Sequence, residues 1–317
     1  MRKLILRRLA LGLLTLFLIS LIVFAALLAL PGDAATAILG REATPDRVAA
    51  LRDQLNLDDS VVSQYLQWIG GVLTGSFGTS AATQQPVSEL LSSRVANSAF
   101  LVLIAALVAI PLSIAIGVWM AMKRDRAVDH VGSTVSLVLA ALPEFVIGIG
   151  LVMLFATSVF NWFPAVSLIA PDQRAWEVPD VVVLPAATLV LAVVPYISRI
   201  MRGSMIEVLE SDYVTMARLK GLPEREVIWR HAVPNAIVPA IQVAALQLAW
   251  MAGGVVVVEF VFSYPGIGAA LVDAVGNQDM PVVMTVTMLA AGIYVLLNLV
   301  ADLLTIVVTP KLRTAAR

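Results

Sequence analysis

The 317-residue chain is 60% hydrophobic and only 14% charged, with a mean hydropathy of +0.92, whereas a soluble domain carries about 25% charged residues. This composition indicates an integral membrane protein. The net charge of −1 provides no bulk attraction for nucleic acid. Cysteine is absent, which excludes disulfides, thiolate metal sites and cysteine nucleophiles, and a histidine-rich metal site is not expected from His130 and His231 alone.

The first predicted element is an apolar run from Leu9 to Leu30, which follows four basic residues. As a helix it would cover about 33 Å. The run is longer than the 7 to 15 residues, roughly, of a signal-peptide core, and no Ala-x-Ala-like cleavage site precedes Pro31. The pattern predicts an uncleaved first transmembrane helix within residues 1–30.

Five more apolar stretches follow, each close to the length of about 17 to 25 residues that crosses a bilayer. They are Ala99–Met122, Ser133–Phe160, Val181–Ile197, Ala236–Val258 and Val282–Val308. The predicted fold class is therefore all-α, a polytopic membrane protein with six transmembrane helices. Residues 98–310 are expected to form a five-helix core, followed by a tail at 311–317.

The basic residues predict the orientation of these helices. Four lie in the N-terminus, three in 123–130, six in 198–235 and three in the tail, so these segments hold sixteen of the 21 Lys and Arg residues. Cytoplasmic loops carry the excess of such residues. Both termini are expected in the cytoplasm.

Residues 31–97 are too many for a turn and are predicted to form an external cap between helices 1 and 2. One short helix begins at Thr44-Pro45-Asp46, where the three residues suit a cap and first turn. A second helix, at about 60–73, places Tyr65 and Trp68 on one face. That face is expected to pack against the cap's own core or the membrane surface rather than to contact a ligand.

The segment 198–235 is the longest one predicted to be cytoplasmic. Ser204–Lys220 can be helical, Gly221 provides a stop, and Pro223 begins a short helix that reaches about His231. Pro234 is expected to end that helix. Such a segment can transmit force from a soluble partner into the membrane, and the residues alone equally allow a solvated amphipathic hairpin.

Two runs in this segment, Ala217–Pro223 and Trp229–Asn235, resemble the cytoplasmic loop of binding-protein-dependent ABC importer permeases. In that family a short helix of the loop docks into a groove of the ATPase subunit. Thr215 and Met216 stand where the general pattern has Glu and Ala, and His231 stands where Ile is usual.

Other segments resemble the peptide-transporting branch of this family. Glu259–Gly268 is similar to its motif after the fifth span, and Leu73–Ser80 with Pro86-Val87 to the segment before its second span. Asn298–Asp302 fits the last span, whereas Thr309-Pro310-Lys311 departs from the usual Asp-Pro-Arg. Nearly the whole chain resembles the B-type subunit of dipeptide and oligopeptide importers, which have the type I ABC importer permease fold.

The resemblance implies a subunit that moves short peptides from an external binding protein into the cytoplasm across the bacterial inner membrane. Its implied partners are a second, related permease, two ATPase subunits that bind ATP and Mg²⁺, the binding protein and membrane lipid, with no nucleic acid. The chain is not expected to be an enzyme or to bind a cofactor or metal, since it has no Gly-x-x-x-x-Gly-Lys-Ser/Thr phosphate loop.

Other functions remain as alternatives. Nickel, glutathione and oligosaccharide importers use similar permeases. A secondary transporter or channel would share the spans but would give no reason for the Gly221 loop. An intramembrane enzyme would need a nucleophile or metal motif such as Gly-x-Ser-x-Gly or His-Glu-x-x-His, which the chain lacks.

The resemblance also predicts the residues that couple the chain to the ATPase. Gly221 would allow the sharp turn and Pro223 would fix the start of the coupling helix. Leu222, Val227, Ile228 and Trp229 would offer apolar surface to a groove, with Arg225, Arg230 and His231 on its polar flank. The full predicted set is Ala217, Gly221, Leu222, Pro223, Glu224, Arg225, Val227, Ile228, Trp229, Arg230, His231 and Pro234.

Polar residues inside the spans are costly in lipid and are therefore candidate path residues. Glu144, after Pro143, could face the translocation path, or it could bond a helix end or a neighbouring span. Asn298 and Asp302 could contact substrate or bond between helices. Glu259 is expected to shape the loop Ser263–Gly268.

Overall fold

The computed structural model describes residues 2–28, 34–39, 43–54, 58–170, 173–277 and 279–308. Within these ranges the chain consists of helices and their connections, apart from one isolated bridge between Thr79 and Pro86. The tail 311–317, the predicted Thr309–Lys311 motif and parts of the predicted cap lie outside the described residues. The α-helices are α1 Arg2–Leu28, α2 Ala34–Leu39, α3 Pro45–Gln54, α4 Val61–Thr74, α5 Val87–Met122, α6 Ala127–Ala141, α7 Glu144–Val152, α8 Asp180–Leu209, α9 Asp212–Leu219, α10 Glu224–Glu226, α11 Val233–Phe262, α12 Ile267–Gly276 and α13 Met280–Val308.

Five helices of the described chain are long and apolar enough to cross a membrane, and α6 with α7 forms a sixth crossing if the bent pair counts as one span. This arrangement confirms the predicted all-α, polytopic class. Residues 123–126 and 210–223 lie at the end of the bundle that we call the basic side. Residues 159–170, 173–179 and 263–277 lie at the opposite side.

The third span departs from its prediction. Ser133–Phe160 was expected as one helix, but the chain breaks at Leu142-Pro143, where its direction bends by 107°. Proline disfavours a helical conformation in the residue before it, and Leu142 has an extended ψ of 132°. Glu144 consequently begins a new helix inside the span.

Other prolines do not end their helices. Pro111 lies within α5, and Pro185 and Pro195 lie within α8. Both helices run beyond the apolar stretches from which they were predicted, because their polar end turns continue the same helix. The lengths therefore exceed what hydropathy alone indicates.

Helix α8 forms the centre of the core. It packs between α5 and α11, and residues such as Leu189, Ile197 and Met201 are fully buried. Close approach of α5 depends on Gly117: a Cβ atom there would lie 2.6 Å from both the Met201 Cβ atom and the Ser198 carbonyl oxygen. Small residues at such crossings bring helix backbones together in membranes.

Glu259 organises the turn between α11 and α12, as the sequence predicts. Its buried carboxylate accepts hydrogen bonds from the Ser98 hydroxyl at 2.5 Å and from the Gly268 amide at 2.7 Å. Carboxylates are stabilised at helix N-termini such as that of α12. In the same turn the Tyr264 hydroxyl donates to the Asn97 carbonyl at 2.8 Å. Burial raises the pKa of Tyr264 above its usual range, which keeps the hydroxyl protonated.

The aromatic face of α4 packs onto the first helix. Tyr65 and Trp68 lie 5.4 and 5.9 Å from the Phe24 ring between centroids. The Tyr65 hydroxyl is also 2.7 Å from the Ser20 hydroxyl. Their contact is thus with α1, where the sequence predicted the cap's own core or the membrane surface.

Candidate functional site: the loop between α8 and α11

The predicted helix Ser204–Lys220 is divided into two. Helix α8 ends at Leu209, and α9 begins at Asp212 after Ser211, which has an extended backbone with ψ of 150°. The Ser211 hydroxyl donates to the Val208 carbonyl at 2.5 Å. Serine favours helix boundaries because its side chain bonds nearby backbone groups, so α9 can point away from the axis of α8.

Gly221 ends α9 as predicted. Its φ of +81° lies in the left-handed region that favours glycine. The Leu222 amide donates to the Ala217 carbonyl at 3.4 Å, and the Gly221 amide donates to the Arg218 carbonyl at 2.9 Å. This pair of bonds is a Schellman motif, which satisfies the last carbonyls of a helix.

An ion pair joins the two arms of the turn. Arg218 on α9 donates to both oxygens of Glu224, at 2.7 and 3.1 Å, and Glu224 is the first residue of α10. Hydrogen bonding to Glu224 raises the pKa of the Arg218 guanidinium. The fork-to-fork geometry fixes the orientation of the two helices relative to each other. Ala217, Val214 and Val227 form a small apolar core beneath them, with Leu222 packed against it.

The prediction that Pro234 ends the coupling helix is wrong. The helix that begins at Glu224 continues to Phe262, through a π-helical turn at Val227–Ala232. In an α-helix the proline ring clashes with the carbonyl of the preceding turn, and the wider turn just before Pro234 relieves that clash. The loop is therefore continuous with the span that follows it.

The prediction that Val227 and Ile228 offer surface to a partner is also wrong. Both are buried, at 0% and 5% exposure, because Val227 packs in the small core beneath the loop and Ile228 in the main core of the bundle. Trp229 is 58% exposed and lines a shallow pocket with Pro223, Arg225 and Glu226.

Three further exposed apolar residues were not predicted as part of this surface. Tyr213, Met216 and Leu219 follow one another at a spacing of three on α9, and Leu219 is 77% exposed. The helical spacing of these three residues indicates one apolar helix face, but such a face more often packs against the core of the protein. We call Tyr213, Met216, Leu219 and Trp229 together the exposed loop surface.

The three predicted flanking residues, Arg225, Arg230 and His231, have different surroundings. Arg230 donates to Glu226 at 2.9 Å, one turn earlier. The half-buried His231 accepts, through its carbonyl, a bond from the Asn235 side chain at 2.8 Å. Arg225 is exposed beside Trp229.

Two ion pairs, which were not predicted from the sequence, attach the first turn of α6 and the connection before it to the end of α8 and the residue after it. Asp129 is 2% exposed and accepts two hydrogen bonds from Arg202, at 2.5 and 2.6 Å. Arg124 pairs with Glu210, just before α9. The start of the loop between α8 and α11 is thus also attached to α6 and to the connection before it.

The three candidate path residues lie in different surroundings. The Glu144 carboxylate faces α11, with its Oε1 atom 3.6 Å from where a Gly254 Cβ atom would stand. The Asn298 side chain donates to the Tyr294 carbonyl of its own helix at 3.0 Å. Asp302 pairs with Arg8 of α1. The structure does not bring the three together, and their role in a path stays a prediction.

Comparison with known proteins identifies the family. Residues 113–314 match the model of the binding-protein-dependent transport system inner membrane component, and residues 1–115 match the model of its N-terminal region. The probable peptide ABC transporter permease protein y4tP of Sinorhizobium fredii is 36% identical over 309 residues, which cover 98% of each chain.

Two further relatives are glutathione transport system permease proteins GsiC. The protein of Salmonella choleraesuis is 36% identical and that of Escherichia coli K12 is 33% identical, each over 94% of this chain and 95% of the relative. This chain therefore belongs to the binding-protein-dependent transport system inner membrane components, as a multi-pass permease subunit of an ABC transporter.

Proposed function

We propose that this permease translocates di- and oligopeptides into the cytoplasm, driven by ATP hydrolysis in two separate ATPase subunits. The observation that carries the ATP-driven part of the proposal is the exposed loop surface, which stands on the Schellman turn between two spans. A group of four large exposed apolar residues in a loop indicates a protein contact. In this family the contact expected there is with an ATPase.

The construction of the loop suits the transmission of force. The Arg218–Glu224 pair and the Schellman motif hold α9 and α10 as one unit. Because α10 continues into α11, a displacement of the exposed loop surface would tilt the whole helix 224–262. Closure of the ATPases around ATP would move this chain and a second, related permease together, which would alternate the access to the path.

The orientation that we propose places the basic side in the cytoplasm. Sixteen of the 21 Lys and Arg residues belong to segments that the sequence assigns to that side, and positive residues are retained in the cytoplasm. Both termini would then be cytoplasmic. The turn at Ser263–Gly268 would be external, on the side from which a binding protein delivers substrate.

The proposed substrate class rests on the relatives. One is described as a peptide permease and two as glutathione permeases, and glutathione is itself a tripeptide. Short peptides are the class that includes both. Nickel or an oligosaccharide would be the alternative cargo of the same kind of importer.

The substrate proposal is tested by reconstitution. The chain would be purified with its genomically neighbouring permease and ATPase subunits and placed in liposomes with the neighbouring binding protein. We expect ATP-dependent uptake of labelled dipeptide, tripeptide or glutathione, and no uptake of nickel. Uptake of nickel alone would contradict the peptide assignment, and ATP-independent uptake by this chain alone would contradict the importer.

Within the path, we propose that Glu144 contacts the peptide. It lies at the break of the third span, where a carboxylate could meet a peptide's amino terminus. Glu144→Gln should raise the KM for peptide uptake, whereas Glu89→Gln, at the exposed start of α5, should leave it unchanged. We rank Asn298 and Asp302 below Glu144 as path residues, because their side chains bond to α13 itself and to α1.

A further inference from the structure

Helix α4 carries an apolar strip that no other part of the described chain covers. Val62, Leu66 and Leu73 are 60% or more exposed, and no residue of α4 is buried. At 100° per residue the three lie within about 40° of one another on the helix. They border the aromatic face that packs onto Phe24.

The face of α4 beside the apolar strip is polar, since at 100° per residue Ser63 and Gln67 lie about 60° and 100° from Leu66. Gln67 donates to the Asp59 carboxylate at 3.0 Å, and the Ser63 hydroxyl donates to the same carboxylate at 3.1 Å. The Ser60 hydroxyl caps the first turn by accepting from the Ser63 amide. The helix is therefore amphipathic, with a polar face beside an apolar face, which is the pattern of a helix that lies in a membrane interface.

The contact with α1 sets the depth of α4. Phe24 lies four residues before the end of α1 at Leu28, which is about 6 Å along the helix axis. The rings of Tyr65 and Trp68 meet it there. Tyr and Trp are the residues enriched where hydrocarbon meets headgroups. The end of a membrane-spanning helix thus holds α4 at the level of that boundary.

The apolar strip continues an exposed apolar surface of the membrane-spanning helix α1. Only 6% of the spanning part of α1 is buried within the chain, and residues such as Phe17 and Leu21 are exposed. A strip attached to the end of this helix meets the same environment. Helix α4 has no Lys, Arg, Asp or Glu, so it offers a charged partner protein nothing to pair with, and its attraction to a bilayer would come from apolar burial.

From these contacts we infer that α4 is an interfacial helix, which inserts Val62, Leu66 and Leu73 into the leaflet at the opposite side of the bundle and keeps Gln67 in water. The inserted helix would anchor the segment between the first two spans to the membrane. Because it is uncharged, its insertion does not require anionic lipid.

The chain has no cysteine, so single cysteines can be labelled without further changes. Leu66→Cys and Gln67→Cys are adjacent, exposed and matched, and both would carry a nitroxide label in the full chain, reconstituted with its co-purifying subunits in phosphatidylcholine liposomes. Collision with oxygen, which concentrates in lipid, should exceed collision with a water-soluble nickel chelate at position 66. The order should reverse at position 67. Leu73→Cys and Thr74→Cys repeat the comparison eight residues away from the first contact with α1.

Two results would overturn the inference. A label at position 66 that meets the nickel chelate as often as one at position 67 would place α4 in water. A label at position 66 that meets neither reagent would show a protein partner on the strip. Addition of phosphatidylglycerol should leave the collision ratios unchanged, and insertion only in its presence would contradict the uncharged mechanism.

Discussion

Replacement of Gly221 by alanine strains the backbone of the loop without creating a side-chain clash. No atom lies within 4 Å of the position that a Cβ atom would take there, so the substitution causes no clash. The cost is conformational, because φ at Gly221 is +81° and the left-handed region costs an L-residue about 1–2 kcal/mol. That free energy lowers the ratio of formed to opened turn by a factor of roughly 5 to 30.

The measurement is hydrogen–deuterium exchange of the turn, together with ATP-driven uptake. Exchange at the Gly221 and Leu222 amides, which donate the two Schellman bonds, should accelerate by about 5- to 30-fold if the opened turn is the exchanging state. Uptake should fall while the assembly with partner subunits is retained. Gly221→Asn should give a smaller effect, since asparagine tolerates the left-handed region better.

Gly203→Ala provides the matched control. Gly203 also has no atom within 4 Å of a Cβ position, but it lies inside α8, where alanine is the better helix former by about 0.5–1 kcal/mol. This variant should transport as well as the parent. If Gly221→Ala lost uptake with unchanged exchange, or changed neither quantity, the proposed role of the turn would be refuted.

Two substitutions test the packing that supports the loop. Asp129→Ala should lower the free energy of unfolding in detergent by about 3 kcal/mol, which is the low end for a broken buried ion pair. The low end applies because the Arg202 side chain that remains is 28% exposed. The control Asp58→Ala removes an exposed pair and should lower the free energy of unfolding by less than about 1 kcal/mol. Equal losses in the two would contradict this assignment. Gly117→Ala should cost about 1–3 kcal/mol through overpacking, as its Cβ would lie 2.6 Å from the Ser198 carbonyl oxygen, and an unchanged thermal midpoint would refute it.

Much of the fold follows from the sequence because membranes impose strong constraints. A bilayer requires long apolar helices, so the spans and the all-α class could be predicted from hydropathy. Gly221 could be predicted as a stop because glycine readily takes the left-handed conformation that ends a helix. Glu259 was predicted to shape the turn Ser263–Gly268 from its place at the end of the fifth span.

The failures have equally physical origins. Val227 and Ile228 were assigned to the surface, since an apolar residue in a short helix has no sequence mark that says which face packs inward. Pro234 was expected to end a helix, but the π-helical turn before it accommodates the ring. The Asp129–Arg202 pair joins residues 73 positions apart, and one sequence contains no information on which charges meet over such a distance.

Two tryptophans allow a direct test of whether the exposed loop surface binds the ATPase subunits. Trp229 on the loop and Trp162 on the opposite side are similarly exposed, at 58% and 65%, so Trp→Ala removes the same side chain from both ends. We would measure the affinity of the ATPase subunits for the permease in nanodiscs. Truncation of a tryptophan that is a binding hot spot costs about 2 kcal/mol or more, so Trp229→Ala should weaken binding by roughly 30-fold or more, while Trp162→Ala leaves it unchanged. Equal affinities in the two variants, or a loss only with Trp162→Ala, would contradict the account.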